Sequence, residues 1–230
     1  MWYYLLVART KTAEPDTRLT GVRYVLRPMT LADVPQVMDI ERESFSSMWP
    51  QTAYSRELKN RLARYSVLVE EGESDDESTP PTSLVRRAMR WLLRAKEESP
   101  PTRRLIIGLV GVWLMVDQAH VVTIAVREAF RRQGAGGLLL LAAIEVAFAE
   151  NMESVTLEYR RDSEPARALY EKFGFLNVGV RPRYYTDTNE DALIMTTPPL
   201  RSKSYREKYE RLKREHTEHV RGRYLLPNNF

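Results

Sequence analysis

Val121-Val122-Thr123-Ile124-Ala125-Val126, then Arg131-Arg132-Gln133-Gly134-Ala135-Gly136-Gly137, then Leu138 to Ala149: this stretch decides the fold. The first run is β-branched and of strand length. The last is almost wholly apolar, built of Leu, Ala and Glu, and free of helix breakers. A glycine-rich turn joins them, so the stretch reads strand, turn, helix. Glycines at a helix entrance let N–H groups without intrahelical partners crowd around an anion, and the helix dipole adds positive potential there. A diphosphate suits such a turn. A tight connection with no ligand is the plainer reading of the same residues. The spacing excludes two common phosphate loops, because no Gly-Lys-Ser/Thr closes the turn and it is not Gly-x-Gly-x-x-Gly. What remains is Arg-x-x-Gly-x-Gly, Arg131 to Gly136.

Composition bounds the rest. At 230 residues the chain is long enough for one good core plus appendages. Hydrophobic residues at 43% and charged residues at 29% are those of an ordinary soluble protein. With no cysteine, a disulfide framework, a thiolate nucleophile and a Cys-based metal site are excluded. The three histidines, His120, His216 and His219, are too few and scattered for a metal site. His216 and His219 could share a face of a solvated basic helix. A net charge of +4 is a mild bias towards acidic partners such as RNA. Leu138–Ala149 is too short to span a membrane and contains Glu145. Trp2–Ala8 is apolar but lacks a basic n-region and a cleavage site, so it reads as an extra strand or a packed arm of a cytoplasmic protein.

Moving outward from the turn, Val22–Arg27 reads as a first strand. Thr30 and Asp33 signal a capped helix through about Glu43, with Leu31, Val34, Val37, Met38 and Ile40 on its apolar face. A loop carrying Phe45 and Trp49 follows, then a helix over Gln51–Ala63 and a strand over Tyr65–Glu70. Glu71–Pro81 is acidic and Ser/Pro-rich. Ser83–Glu98 reads as an amphipathic helix with four arginines, Arg86, Arg87, Arg90 and Arg94, opposite its apolar face. Leu105–Val116 is a long strand meeting Val121–Arg127 across a turn at Asp117-Gln118. Ser154–Tyr159 is a strand and Ser163–Lys172 a helix stopped by Gly174. Phe175–Val180 and Asp191–Thr196 close the domain as two strands joined by a long loop. Arg201 onward is a charged tail, nine Lys/Arg against four Glu, with a partly amphipathic helix marked by Tyr205, Tyr209, Leu212 and Val220.

Several of these segments together resemble the GNAT superfamily of acetyl-CoA-dependent N-acetyltransferases. Arg131 through Gly136 resembles its coenzyme A turn, and Ile124-Ala125-Val126 the strand before it. Leu157-Glu158-Tyr159-Arg160 is similar to a Leu-Glu-Val-Arg strand of the family. Ala166 to Tyr170, running on to Gly174-Phe175, is similar to its Ala-x-x-Leu-Tyr-x-x-x-Gly-Phe helix. Ile40-Glu41 with Phe45 and Trp49, and Tyr184-Tyr185 followed by Glu190-Asp191-Ala192, resemble the RimI branch, which acetylates the N-terminal alanine of a small-subunit ribosomal protein. The resemblance covers Tyr24 to Thr196, apart from the stretch between Glu71 and Arg104. Ser163 stands where RimI has an asparagine, and Gly137 where an Arg or other polar residue is usual.

The resemblance implies an α+β GNAT fold, a three-layer α/β/α arrangement around a mixed, mostly antiparallel central sheet. It implies an N-terminal arm over residues 1–21, an acetyltransferase domain over 22–197 with an insert over 71–104, and a charged tail over 198–230. Acetyl-CoA would be held by Ile124, Ala125, Val126, Ser163 and the turn residues Arg131, Arg132, Gln133, Gly134, Ala135, Gly136 and Gly137. Glu158 would be the general base, Tyr170 the general acid towards the coenzyme A sulfur, and a backbone N–H near Val126 the oxyanion donor. Phe45, Trp49, Tyr184 and Tyr185 would line the peptide slot. Read alone, Glu158 is a solvated strand carboxylate or an ion pair with Arg160, and Tyr170 a half-buried packing residue. No metal is implied. The acceptor is a protein N-terminus, with a lysine or small amine, or a non-catalytic ribosome- or RNA-binding role for the basic insert and tail, as the alternatives.

Overall fold

The computed structural model describes residues 23–45, 52–71, 104–185, 187–220 and 224–225. Trp2–Ala8, Trp49 and the expected helix over Ser83–Glu98 lie outside the described residues. Strand β1 (Tyr24–Pro28) leads into α1 (Val34–Ser44) and a single turn α2 (Tyr54–Glu57). Then come β2 (Ala63–Glu70), β3 (Ile106–Met115), β4 (Gln118–Val126), α3 (Ala135–Ala149), β5 (Ser154–Arg160), α4 (Glu164–Lys172), β6 (Leu176–Tyr185) and β7 (Glu190–Thr196). Helix α5 (Lys203–His219) and the two-residue β8 (Tyr224–Leu225) follow. The strands form one sheet in the order β6-β7-β5-β4-β3-β2-β1-β8. Among the described strands only β4–β5 and β1–β8 pair in parallel, so the sheet is mixed and mostly antiparallel, as expected.

Each face of the sheet buries its own cluster. On one, Val37 and Ile40 of α1 and Tyr54 of α2 pack on Val67, Val69, Ile106, Leu109 and Ala125. On the other, α3 lies on β3 and β4, joined by Tyr170 and Phe173 of the α4 region and by Tyr205, Tyr209 and Leu212 of α5. The 3-10 turn Leu31–Asp33 that leads into α1 is capped as the Thr30/Asp33 spacing predicts. The Asp33 carboxylate accepts from the Thr30 backbone at 2.7 Å and its hydroxyl at 2.9 Å, and takes both Arg27 guanidinium nitrogens at 2.7 and 2.8 Å. Leu31, placed by its spacing on the apolar face, is exposed. The helix expected over Gln51–Ala63 is only four residues. The Asn60 side chain accepts from Leu62 N at 3.0 Å and turns the chain, and Ala63 is already paired with Trp113. Strand β6 runs on through Tyr185, which shortens the expected loop before β7.

Helix α3 has no polar side. Ala135, Gly137, Leu138 to Ile144 and Ala147 are all buried, because the sheet covers one side and α5 the other. Tyr209 donates to Glu145 at 2.6 Å, and Lys213 pairs with the same carboxylate. The segment read as a charged tail is therefore a helix docked on the domain. Its outer side pairs Lys203 with Glu207 and Arg211 with Glu215, a mixed-charge solvated face rather than a basic stripe. His216, expected on a solvated helix, is buried. Leu140 is fully buried in this layer. Leu140→Ala should lower unfolding free energy by about 2–5 kcal/mol, measured by urea denaturation; a change within error would mean the α3 layer is not the packed centre.

Candidate active site

The site forms where the sheet forks. Strands β4 and β5 pair only from Gln118–Ser154 to Val121–Leu157. Beyond that, β4 continues along β3 and β5 along β7, so the two part company. At the fork, Gly111 pairs with Thr123 but Val112 pairs with Val121, which leaves Val122 bulged out of the β3–β4 ladder. The edge of β4 facing β5 thus has unpaired backbone from Val122 onward. A cavity of about 930 Å³ opens there, walled by β4, β5, α1, α4 and the end of β6.

Glu158 sits at the fork with its side chain 6% exposed. Its carboxylate accepts from His120 Nε2 at 2.7 Å and pairs with Arg181 at 3.0 Å, not with Arg160. Burial by itself raises its pKa. The His120 hydrogen bond and charge, then the Arg181 charge, outweigh burial and hold Glu158 below the usual carboxylate range. Arg160 is engaged elsewhere, with Asp187 at 2.7 Å and Glu190 at 2.6 Å, its guanidinium 3.9 Å above the Tyr185 ring. Tyr170 comes from α4, edge-on to Tyr159, and its burial pushes the hydroxyl pKa well up, so it stays protonated. Glu158, Tyr170, Ser163, Ile124, Phe45, Tyr184 and Tyr185 all line the one cavity. Tyr184 and Tyr185 stand edge to face at 5.2 Å, with Arg181 over Tyr184. Ser163 precedes α4, but its hydroxyl makes no capping bond.

The glycine turn lies outside that cavity. Gly134 caps α3 at φ +93°, and a Cβ there would stand 2.4 Å from Val220 Cγ1. A Cβ on Gly136 would meet only Leu169 Cδ2, at 3.6 Å. Arg131 Nε donates to Val126 O at 3.0 Å, which ties the turn to the end of β4. Gln133 donates to Ala129 O at 3.0 Å, and Arg132 is exposed at φ +61°. Ala125 points away, into the core beneath α1, so only its backbone is open to a ligand. Sequence reading missed His120 and Arg181, the two partners of Glu158. The bulge at Val122 breaks the two-residue period between His120 and Ile124, so no local pattern placed His120 at the site.

A family model described as the acetyltransferase (GNAT) family matches residues 34–175. The chain belongs to that family and is an acetyl-CoA-dependent N-acetyltransferase. It is of the RimI type. An N-alpha-acetyltransferase of Sulfurisphaera tokodaii is 32% identical over 180 residues, 77% of this chain and 95% of that one. A candidate ribosomal protein bS18-alanine N-acetyltransferase of Bacillus subtilis is 31% identical over 171 residues, 74% of this chain and 92% of the relative. The crystal structure of the ribosomal-protein-S18-alanine N-acetyltransferase from Escherichia coli has the same fold. Its TM-score is 0.55 and its identity 22%, over 76% of this chain and 94% of that one.

The two glycines of the turn should separate in experiment. Gly136→Ala has room and should fold as the parent does, yet lose roughly tenfold or more in acetyl-CoA affinity, since 1.4 kcal/mol is one decade. Gly134→Ala should lose folding stability first, from its positive φ and from Val220. Calorimetric binding beside thermal melts checks both; full acetyl-CoA affinity in Gly136→Ala would put the diphosphate elsewhere.

Proposed function

We propose that the protein transfers the acetyl group of acetyl-CoA to a protein N-terminus, with the N-terminal alanine of a small-subunit ribosomal protein as its substrate. The carrying observation is the single cavity shared by Glu158, Tyr170 and the Tyr184–Tyr185 pair. The relatives named for N-alpha and ribosomal-alanine acetylation support the choice of acceptor. A ribosomal-protein acceptor supports a cytoplasmic location.

Acetyl-CoA suits the residues present. The α3 entrance offers N–H groups and an open Gly136, β4 offers an unpaired edge beyond Val121, and the Ser163 hydroxyl is not engaged in capping. The co-substrate supplies an activated acyl group. The chain supplies the proton transfers and the geometry. A free α-amino group has a pKa of about 7.7–8.0, so part of it is protonated at neutral pH. Glu158, kept ionised by His120 and Arg181, accepts that proton directly or through a water, since a carboxylate has about four lone-pair directions and these partners occupy two. His120 fixes the orientation of the carboxylate from the neighbouring strand. A backbone N–H near Val126, on the β4 edge beyond its pairing with β5, stabilises the developing oxyanion. Tyr170, held protonated by burial, donates to the leaving sulfur. Tyr184 and Tyr185 with Phe45 flank the peptide.

Glu158→Gln should lower the rate on an alanine-led peptide by about 10²–10⁴-fold. The loss should shrink above the amine's pKa, where more acceptor is already neutral. Tyr170→Phe should slow turnover without that recovery, because the leaving thiolate still lacks its donor. Full activity of Glu158→Gln at neutral pH would remove Glu158 from the role of base.

Arg181 adds a sign to the pH dependence. Its charge lowers the Glu158 pKa, so Arg181→Ala should raise it. The activity that requires ionised Glu158 is present above that pKa and lost below it. The acid limb of the kcat/KM profile should therefore move to higher pH. A limb that stays in place, or moves down, would show that Glu158 does not govern it.

A further inference from the structure

Two features that the family resemblance leaves unexplained meet in the structure. One is Gly137, where an Arg or other polar residue is usual; the other is α5, which extends the chain beyond β7. The His216 ring of α5 lies against Gly137: a Cβ there would stand 2.4 Å from its Cε1 and 2.6 Å from its Nε2. The same Nε2 is 2.9 Å from the Gly134 carbonyl oxygen. A carbonyl only accepts, so Nε2 carries the proton and donates. Nδ1 is buried and has no hydrogen-bond partner among the described residues. His216 is 5% exposed, faces Lys172 of α4 and His219 of its own helix, and stands edge-on to Phe173. Burial first, with those charges, outweighs the opposing pull of the Gly134 hydrogen bond and favours the neutral ring.

We propose that His216 is a positioning residue for the coenzyme turn, one that orients the α3 entrance through its hydrogen bond to Gly134 O. The peptide unit is planar and trans, so a donor that pins Gly134 O on the α5 side turns the Ala135 N–H the opposite way, towards the ligand side of the helix entrance. Apart from His216, Gly134 O is engaged by Leu138 N at 3.2 Å, a longer bond. Gly137 is a glycine because the imidazole occupies the room its side chain would need. The inference rests on the reading of this turn as the diphosphate site.

The test measures the acetyl-CoA Kd by calorimetry, and KM and kcat, in the parent, His216→Ala, His216→Gln and Tyr209→Phe. His216→Ala should raise Kd and the acetyl-CoA KM about 3- to 10-fold, the effect of one neutral hydrogen bond, and leave kcat and the peptide KM in place. His216→Gln should recover most of the loss, because its amide can donate to the same carbonyl. Tyr209→Phe breaks the α5–α3 contact at Glu145, away from the turn, and should lower the melting temperature without moving Kd. Gly137→Ala should weaken binding by displacing the ring, and the added methyl should cost little in a His216→Ala background. If His216→Ala does not fold, Gly137→Ala carries the test. Unchanged Kd in folded His216→Ala or in Gly137→Ala, or equal shifts in His216→Ala and Tyr209→Phe, would overturn the proposal. A parent that binds no acetyl-CoA would instead overturn the reading of the turn itself, and with it this inference.

Discussion

Helix α3 cannot face water anywhere along its middle, and the rest of the molecule follows from that. Four consecutive leucines leave no polar stripe, and burying each is worth about 1.5–3 kcal/mol over leaving it exposed. The sheet alone covers half of such a helix. Helix α5 covers the rest, through Tyr205, Tyr209 and Leu212. So tightly enclosed a helix has a fixed axis, and a fixed axis points its unpaired N-terminal N–H groups in one direction. The helix entrance we propose for the diphosphate is thus oriented by core packing, with Gly136 leaving room beside it.

The second constraint is the fork between β4 and β5. Parallel pairing holds four rungs and then gives way, because each strand is claimed by an antiparallel neighbour on its other side. His120 and Glu158 bridge the last rungs at 2.7 Å. One contact therefore closes the end of the paired region and sets the charge state of the carboxylate. The bulge at Val122 frees backbone at the same level. Structural irregularity and chemical opportunity coincide there, since unpaired backbone is tolerated only where something else can use it.

Much of this could be read from the chain. The order of strands and helices through Thr196, the turn and the Thr30–Asp33 cap follow from local patterns, and local patterns are what a sequence displays. Glu158 and Tyr170 came from motif positions, and the cavity contains both. His120 and Arg181 did not come, because their relation to Glu158 depends on strand register, which no short window contains. The length of α2 was misjudged because one Asn60 hydrogen bond outweighs helix propensity. The docking of α5 was legible after all, though not in α5. Its own pattern is only partly amphipathic, but a run such as Leu138–Ala149 without a polar face requires a second cover.

Tyr24 of β1 pairs with Tyr224 of β8, and their rings pack 5.8 Å apart. The first described strand is completed by the last described one, a contact between segments far apart in the chain. Such distant contacts carry the largest loop-closure entropy, and chains emerge from the ribosome in order. On a growing chain, the strands and α4 that carry the proposed catalytic side chains are synthesised before the helix that backs α3. Until α5 arrives, a row of leucines lies open to solvent. The order of synthesis therefore sets a window in which the half-made enzyme is most prone to associate with other chains. That window closes only when the C-terminal helix is free to fold back.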